Sequence, residues 1–257
     1  MNGFESMQPS LRQTIGLIRS LVIYCRPGRQ ASLRRLYRPF VRAGQPVFDI
    51  GAHLGDRTRA FAALGASVVA LEPQAQLFPW LRRLCRGNPR ITLLPMAAGA
   101  REGEAQIAVS SDNPSVSSMA SDWRRDVPAH QAGFRGVRWD TAQTVSVCTL
   151  DALIRRYGQP TFCKIDVEGY EAEVLAGLSR PIDALSLEFI GGMPAPTLRC
   201  LDALEALAPY RYNVIAGEGR QFLFPDWQSA PAIRRWLSED SGAVPSGDLY
   251  ARRAEPG

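Results

Sequence analysis

A strand, a glycine turn, a helix and a second strand follow one another directly in residues 46–73, PVFDIGAHLGDRTRAFAALGASVVALEP. The run Val47 to Ile50 is apolar apart from Asp49, which is typical of a strand covered on both faces. Leu54 to Leu64 has helical spacing, and Gly65 stands where a helix commonly ends. Because strand–helix–strand units need a sheet with helices packed on its faces, this segment predicts an α/β fold.

The alternation of strands and helices continues along the rest of the 257 residues. It lapses between residues 100 and 146, where two strand-like runs, AQIAVSS and TVSVCTL, flank the polar stretch SDNPSVSSMASDWRRD, which we predict to be a loop. We interpret this segment as an insertion over one end of the sheet. Further helices are predicted around 74–86, 150–157, 170–178 and 196–208, and further strands at 68–71, 91–95, 162–165, 184–190, 210–216 and 247–253.

The N-terminal residues have a different pattern from the alternating part. Residues 10–43 contain two helical segments, broken by Pro27 and Gly28. The more apolar part, IGLIRSLVIYC at 15–25, is interrupted by Arg19 and is shorter than the roughly 20 residues that span a bilayer. We expect it to form an amphipathic helix packed on the domain, with association with a membrane surface as the alternative. The predicted division is a helical extension at 1–43 and one domain at 44–257.

The composition excludes several classes of protein. Hydrophobic residues at 46% and charged residues at 21% are ordinary for a globular domain. The net charge of +5 is spread over scattered arginine pairs, whereas a nucleic-acid surface shows a basic stripe with aromatic residues. Nucleic acid is therefore not expected as a partner.

The five cysteines are odd in number and show no CxxC spacing. This argues against a disulfide framework and against a zinc site. It favours a reducing compartment, and we expect the protein in the cytoplasm. The cysteines are Cys25, Cys85, Cys148, Cys163 and Cys200.

The glycine turn has the spacing G-x-x-x-G, from Gly51 to Gly55. Glycines between a strand and a helix let the backbone approach a ligand closely. The spacing differs from the G-x-G-x-x-G of a dinucleotide fold, which disfavours an NAD-linked oxidoreductase. Glu72 lies 21 residues beyond Gly51, where a carboxylate points at ribose hydroxyls in doubly wound sheets. The pattern predicts a nucleoside site, and the alternative is a tight turn with a solvated strand end.

Five blocks of the sequence resemble, in this order, the FkbM family of S-adenosylmethionine-dependent methyltransferases. They are VFDIGAHLGDRT, VVALEP, LLPMAAG, TVSVCTLDAL and CKIDVEGYEAEVLAGL, and KIDVEGYE is the most specific part. The resemblance extends from about Val47 to Ile190. It implies a Rossmann-like, seven-stranded class I methyltransferase sheet with S-adenosylmethionine at the carboxyl ends of the first strands.

The resemblance also implies which residues contact the cofactor. These are Asp49, Gly51, His53 and Gly55 around the methionine moiety, Glu72 on the ribose, and Met96 and Ala97 beside the adenine. His53 departs from the family pattern, which more often has Asn at that position. Its imidazole either reaches the cofactor or caps the following helix.

The block FCKIDVEGYEAEVL, at 162–175, contains Lys164, the only lysine of the chain. Asp166 follows the predicted strand and faces the crevice, because ligands collect beyond the carboxyl ends of parallel strands. Methyl transfer to a hydroxyl requires alignment of the acceptor and removal of a proton. Asp166 is our first candidate for that role and Glu168 the second. Lys164, on the same strand face as Asp166, is expected to pair with carboxylates where the larger fork of arginine does not fit.

The acids of this block also raise the question of a metal. Asp166, Glu168 and Glu171 carry the oxygen ligands that hard cations prefer. Lys164 beside them would repel a cation, and neither His53 nor His130 has a partner at metal-ligand spacing. We expect no metal. Glu188, which ends the next predicted strand, either contacts the acceptor or forms a salt bridge.

The leading hypothesis is an O-methyltransferase acting on a hydroxyl of a small molecule, sugar, polysaccharide or polyketide in bacterial biosynthesis, as the resemblance implies. The alternative from another class is a catalytically silent S-adenosylmethionine-binding or scaffold protein. The serine-rich loop NPSVSSM either folds over bound ligands or is a plain surface loop. The sequence leaves open the acceptor, the choice between O- and N-methylation, and the oligomeric state.

Overall fold

The computed structural model describes residues 28–110, 112–113 and 116–254. Its centre is a seven-stranded sheet with the order β3-β2-β1-β7-β8-β10-β9. Only β10 runs antiparallel to its neighbours, β8 and β9. The predicted Rossmann-like α/β sheet is thereby confirmed. The strands are β1 Pro46–Ile50, β2 Ser67–Leu71, β3 Ile91–Leu94, β7 Phe162–Ile165, β8 Ala184–Ile190, β9 Tyr210–Ala216 and β10 Ser246–Arg253.

Helices cover both faces of this sheet. On one face the first three helices bury apolar side chains such as Leu33, Phe61 and Leu81 against the strands. On the other face the last four bury side chains such as Leu153, Leu201 and Ile233. The helices are α1 Arg29–Tyr37, α2 Asp56–Ala63, α3 Phe78–Leu84, α4 Ser121–His130, α5 Leu150–Tyr157, α6 Glu171–Leu175, α7 Pro194–Leu207 and α8 Ala230–Glu239.

The insertion between β3 and β7 forms a small sheet of its own. Its strands β4 Ala97–Ala98, β5 Gly103–Val109 and β6 Thr141–Cys148 are arranged in the order β4-β6-β5. The predicted β-insertion is therefore present.

The polar stretch inside the insertion was predicted to be a loop, and for its second half that prediction is wrong. Helix α4 begins at Ser121 because Trp123 and Val127, four residues apart, bury one helical face against Ile190. The two arginines, the acids and Pro128 around this short stripe hide its periodicity in the sequence.

Two other predictions need comment. The first N-terminal helix, including IGLIRSLVIYC, lies outside the described residues, while the second is α1. Helix α8 was not predicted. None of the helices in the described part of the chain is both long and apolar enough to cross a membrane.

Candidate active site

A cavity of about 50 Å³ lies at the carboxyl ends of β1, β2 and β7. The end of the main sheet forms one side, and the insertion forms the other. Its apolar walls include Ile50, Met96 and Met119, and its carboxylates are those of Asp166 and Glu168. The remaining lining residues are Gly51, Leu71, Pro73, Ala97, Ala98, Ile107, Ser117, Val167 and Tyr170.

Gly51 is required where β1 ends against β7. Its φ is +83°, and a Cβ atom at this position would lie 1.8 Å from the carbonyl oxygen of Asp166. The backbone N–H of Gly51 donates to the carbonyl of Leu71 at 3.0 Å, which joins the turn to the end of β2. The glycine thus brings the ends of β1, β2 and β7 together at the cavity.

Glu72 lies directly after β2 and is 2% exposed. Its two carboxylate oxygens accept the backbone N–H groups of His53 and Gln74, both at 2.9 Å. Burial raises the pKa of Glu72 to about 7, against those two hydrogen bonds, which lower it. A carboxylate has about four acceptor sites, so acceptor capacity remains. Glu72 does not line the cavity, and its contact with a ribose stays a prediction.

Three other predicted cofactor residues do not line the cavity. Asp49 is buried under α2 and accepts the hydroxyl of Thr58 at 2.5 Å, and burial raises its pKa to about 6. Gly55 occupies the N-cap of α2, where a Cβ would lie 2.5 Å from Leu81. His53 lies two residues before that cap and has a φ of +52°. Burial lowers the pKa of its imidazole to about 4, so the ring is neutral. These residues shape the turn that carries Gly51 and the N–H bound to Glu72.

The insertion supplies cavity residues that the sequence analysis did not single out, namely Ile107, Ser117 and Met119. Ser117 is buried and donates to the amide oxygen of Gln74 at 2.8 Å, which connects the insertion to the segment after β2. The serine-rich loop was the one signal in the sequence that pointed to this side of the cavity.

Lys164 is fully buried in the middle of the sheet. Its Nζ atom lies 3.2 Å from Asp166 and 2.8 Å from Asp248, a residue of the antiparallel strand β10. The pairing with a crevice carboxylate is present, but the ammonium has no exposed surface. A substrate therefore cannot touch Lys164 from solvent, and the ammonium can influence the cavity only through Asp166.

Asp166 and Glu168 line the cavity, Glu188 lies within 4.8 Å of both outside this lining, and the pKa values of the three carboxyls differ. Burial by itself would raise the pKa of Asp166, but the nearby Lys164 and Arg57 cations bring it below its usual value. Burial, and then the charge of Asp166, raise the pKa of both Glu168 and Glu188 well above the usual range. The Glu188 carboxyl also hydrogen-bonds Asp166. Asp166 is thus ionised beside two carboxyls that hold protons more readily.

Glu168 is held in an unusual backbone conformation, with a φ of +55°. The hydroxyl of Ser118 donates to the carbonyl of Glu168 at 2.6 Å, and Glu171 accepts the N–H groups of Val167 and Gly169 at 3.0 and 3.3 Å. One Glu168 side-chain oxygen is buried without a hydrogen-bond partner among the described residues. The turn that carries Glu168 is therefore held from two sides, which offsets the cost of its strained backbone.

Two comparisons by sequence bear on this site. The family model described as "Methyltransferase FkbM domain" matches residues 49–242. The chain belongs to the FkbM methyltransferase family. It is an S-adenosylmethionine-dependent methyltransferase, and the cofactor expected from the sequence is confirmed. A search of curated proteins found no match.

Solved structures similar to this FkbM domain have low sequence identity to it. One is a TehB-like SAM-dependent methyltransferase from Corynebacterium glutamicum, with a TM-score of 0.48 and 10% identity over 96% of this chain and 100% of that chain. Another is an O-methyltransferase from Bacillus cereus in complex with SAH, with a TM-score of 0.47 and 11% identity over 97% and 94%. An rRNA methylase from Streptococcus thermophilus has a TM-score of 0.43 and 9% identity over 88% and 94%.

The carboxylates of the FkbM domain also form the group best suited to a metal among the described residues. Oxygen atoms of Asp166, Glu168 and Glu188 lie within 4.8 Å of one another. Glu171, which we had considered as a ligand, instead binds the backbone of the 167–169 turn. Lys164 already balances part of the charge of this group. The prediction of a site without metal stays open to the test given below.

Proposed function

We propose that this protein transfers a methyl group to a hydroxyl of a small molecule, a sugar, a polysaccharide or a polyketide. The observation that carries the proposal is the pairing of an ionised Asp166 with a high-pKa Glu168 at the wall of the cavity that contains Gly51. Two neighbouring carboxylates with opposite pKa shifts are suited to different steps of one proton transfer.

In this proposal the cofactor binds between the glycine turn and the insertion, where the cavity of about 50 Å³ must widen to admit the whole molecule. Gly51 allows close approach, and Met96 and Ala97 offer an apolar border for the adenine. Glu72, between the lining residues Leu71 and Pro73, is the candidate for the ribose. S-Adenosylmethionine, when bound, supplies an electrophilic methyl group on a sulfonium. The chain's own residues must therefore orient the acceptor oxygen and take its proton.

Asp166 holds the acceptor hydroxyl. Lys164 keeps its carboxylate ionised and fixed, because the ammonium is buried between it and Asp248. The same pairing makes Asp166 a weaker base than the sequence suggested, since its pKa lies below the usual value. The role of Asp166 is to accept a hydrogen bond from the acceptor hydroxyl and to orient its oxygen toward the methyl group.

Glu168 takes the proton. A base works best when its pKa is near the working pH, and burial together with the charge of Asp166 moves Glu168 in that direction. The walls of Ile50, Met119 and Val167 keep water away from the developing charge. The order of our two sequence candidates for the base is thus reversed in this mechanism.

The silent-scaffold alternative predicts cofactor binding without transfer. A scaffold has no use for a high-pKa carboxyl beside an ionised one, and this pairing favours the enzyme. A reducing cytoplasmic compartment remains part of the proposal, supported by the free, buried thiols of Cys85, Cys148, Cys163 and Cys200. That nucleic acid is not the acceptor also remains a prediction.

The first test is calorimetric binding of S-adenosylhomocysteine, with NAD as the control ligand. We expect micromolar binding of the first and none of the second. Transfer of a labelled methyl group to a panel of hydroxyl compounds follows, with Asp166→Asn and Glu168→Gln as variants. Both should retain S-adenosylhomocysteine affinity and lose about 10²–10⁴-fold in transfer rate. Full activity of both variants would refute the assignment of the two carboxylates, and binding without any transfer would favour the scaffold.

A further inference from the structure

A groove of about 540 Å³ opens between α4 and the beginning of α7. It shares Met119 and Tyr170 with the cavity described above. A narrower gap lined by Trp123, Gly169 and Met193 leads from it toward Glu188. The groove is therefore next to both the cofactor cavity and the carboxylates, and its volume suits a ligand of some tens of atoms.

Helix α4 lines this groove with a stripe of polar side chains. Asp122, Asp126 and His130 are spaced four residues apart, so they lie on one helical face. Arg125, which does not line the groove, contacts both aspartates, at 3.0 and 2.8 Å. Because this arginine is 67% exposed, the pairs are weak, and a bound cation can replace it.

The opposite wall also provides no free positive charge. Its carboxylate is Glu173, and its cation, Arg199, already pairs with Glu173 at 3.0 Å. In a chain with a net charge of +5, the groove is thus lined by three carboxylates, one paired guanidinium and the imidazole of His130. Its field attracts cations and repels anions.

The N-terminus of α7 borders the groove but is poorly suited to bind an anion. Helix N-termini bind anions through their free N–H groups. In α7 the first and third residues, Pro194 and Pro196, have no N–H, so within these three residues only Ala195 offers one. A phosphate or carboxylate on the acceptor would find here one backbone N–H among these three residues and the guanidinium of Arg199, which already pairs with Glu173.

Apolar surface accompanies the acids. Met119, Trp123, Tyr170 and Met193 line the same groove. The indole of Trp123 packs directly on Gly169, where a Cβ atom would lie 2.2 Å away from it. Aromatic faces next to carboxylates bind ligands that present an apolar face and an ammonium group.

We propose that this groove is the acceptor site and that it selects a hydroxyl acceptor bearing a positively charged amine, such as an amino sugar. This inference rests on the proposed function and names its substrate class. The hydroxyl enters past Trp123 toward Glu188 and Glu168, while the amine stays with Asp122 and Asp126. Anionic acceptors are excluded by charge.

The test uses three probes that differ in charge: triglucosamine, its N-acetylated counterpart and trigalacturonate. Each is titrated by calorimetry into the full chain saturated with S-adenosylhomocysteine. We expect triglucosamine to bind about tenfold more tightly than the acetylated form, and trigalacturonate to bind most weakly. Tighter binding of trigalacturonate, or binding of none of the probes, would overturn the inference.

A double variant locates the binding. Asp122→Asn with Asp126→Asn should weaken triglucosamine about tenfold and leave S-adenosylhomocysteine affinity unchanged. The matched control is Glu102→Gln with Glu104→Gln, two exposed acids of the insertion that do not line the groove and give the same change in net charge. Equal loss in both double variants would overturn the assignment to the groove. If the unmodified chain does not bind S-adenosylhomocysteine, that result would instead count against the proposed function.

Discussion

The Nζ atom of Lys164 lies 2.8 Å from a carboxylate oxygen of Asp248, across the one antiparallel part of the sheet. With Asp166 at 3.2 Å on its other side, the ammonium is enclosed between two acids and has no exposed surface. The compact ammonium is held by these two contacts, whereas a guanidinium would need room for its planar fork. This position explains why a chain that otherwise uses arginine has one lysine.

Replacing Lys164 with Met should destabilise the protein by about 3–5 kcal/mol, because two buried carboxylates lose their cation. Asp248→Asn should cost less, since Asp166 still balances the ammonium. Urea unfolding measures both. A free energy of unfolding for Lys164→Met within about 1 kcal/mol of the original chain would show that the pair contributes little.

Gly51→Ala should abolish S-adenosylhomocysteine binding and lower stability, because the added Cβ would lie 1.8 Å from the Asp166 carbonyl. Gly87→Ala is the matched control, with a φ of +79° and no atom within 4 Å of its Cβ position. This control variant introduces the strain of a side chain on a left-handed backbone but causes no steric clash. Calorimetry on both variants separates the two effects, and equal affinity in the two would contradict the packing described for β1 and β7.

Glu72→Gln should reduce the pH dependence of stability between about pH 4.5 and 7. The pKa of this carboxyl is about 7 in the folded protein, against 4.5 ordinarily. Its contribution is complete below 4.5 and is lost as the pH rises toward 7, because only the unfolded chain ionises freely there. The full loss corresponds to about 3 kcal/mol.

Melting temperatures at pH 5 and pH 7.5 measure this slope. The variant should be less stable at pH 5, where its amide nitrogen cannot accept a backbone N–H, yet lose less on going to pH 7.5. Glu104→Gln, on an exposed position of β5, should keep the original slope. An unchanged slope in Glu72→Gln would mean that this carboxyl is not the source.

Treatment with EDTA should leave S-adenosylhomocysteine binding and methyl transfer intact. The ammonium of Lys164 offsets part of the charge of Asp166, Glu168 and Glu188, and it would repel a cation placed among them. Calorimetric titration with Mg²⁺ and Mn²⁺ provides the direct measurement. Micromolar binding of either ion that is lost in Glu188→Gln would show that these carboxylates form a metal site, against the prediction.

The sequence predicted the main sheet well because each strand carries its own signal. The apolar runs at Phe162–Ile165 and Ala184–Ile190 were placed with the observed bounds, as was helix Leu150–Tyr157. These elements are buried on both faces or have a wide apolar stripe, so local pattern and tertiary packing agree. Helix α4 could not be predicted in the same way, because only two of its residues, Trp123 and Val127, are buried and the residues around them are mostly charged.

The site was predicted in part for a similar reason. Gly51, Asp166 and Glu168 stand at strand ends, and topology alone brings strand ends together. The contact of Asp248 with Lys164 could not be predicted from the sequence, because it depends on the register between β10 and β8. The groove acids Asp122 and Asp126 were hidden for a different reason, since an exposed acid on an unrecognised helix looks like ordinary surface.

The insertion sheet has its own order, β4-β6-β5, and exchanges no strand with the seven-stranded sheet. It leaves the core after β3 and returns at α5, so the part that lines the acceptor side is attached at two joints only. A segment built in this way can change in length and sequence while the cofactor half keeps its geometry. Its contacts with the core limit this freedom. Trp123 packs on Gly169, Ser118 donates to the carbonyl of Glu168 and Ser117 donates to Gln74, so a transplanted insertion would have to supply equivalent contacts. The strand connections therefore allow the insertion to vary more than the ends of the core strands, provided that its contacts with the core and with the cavity are kept.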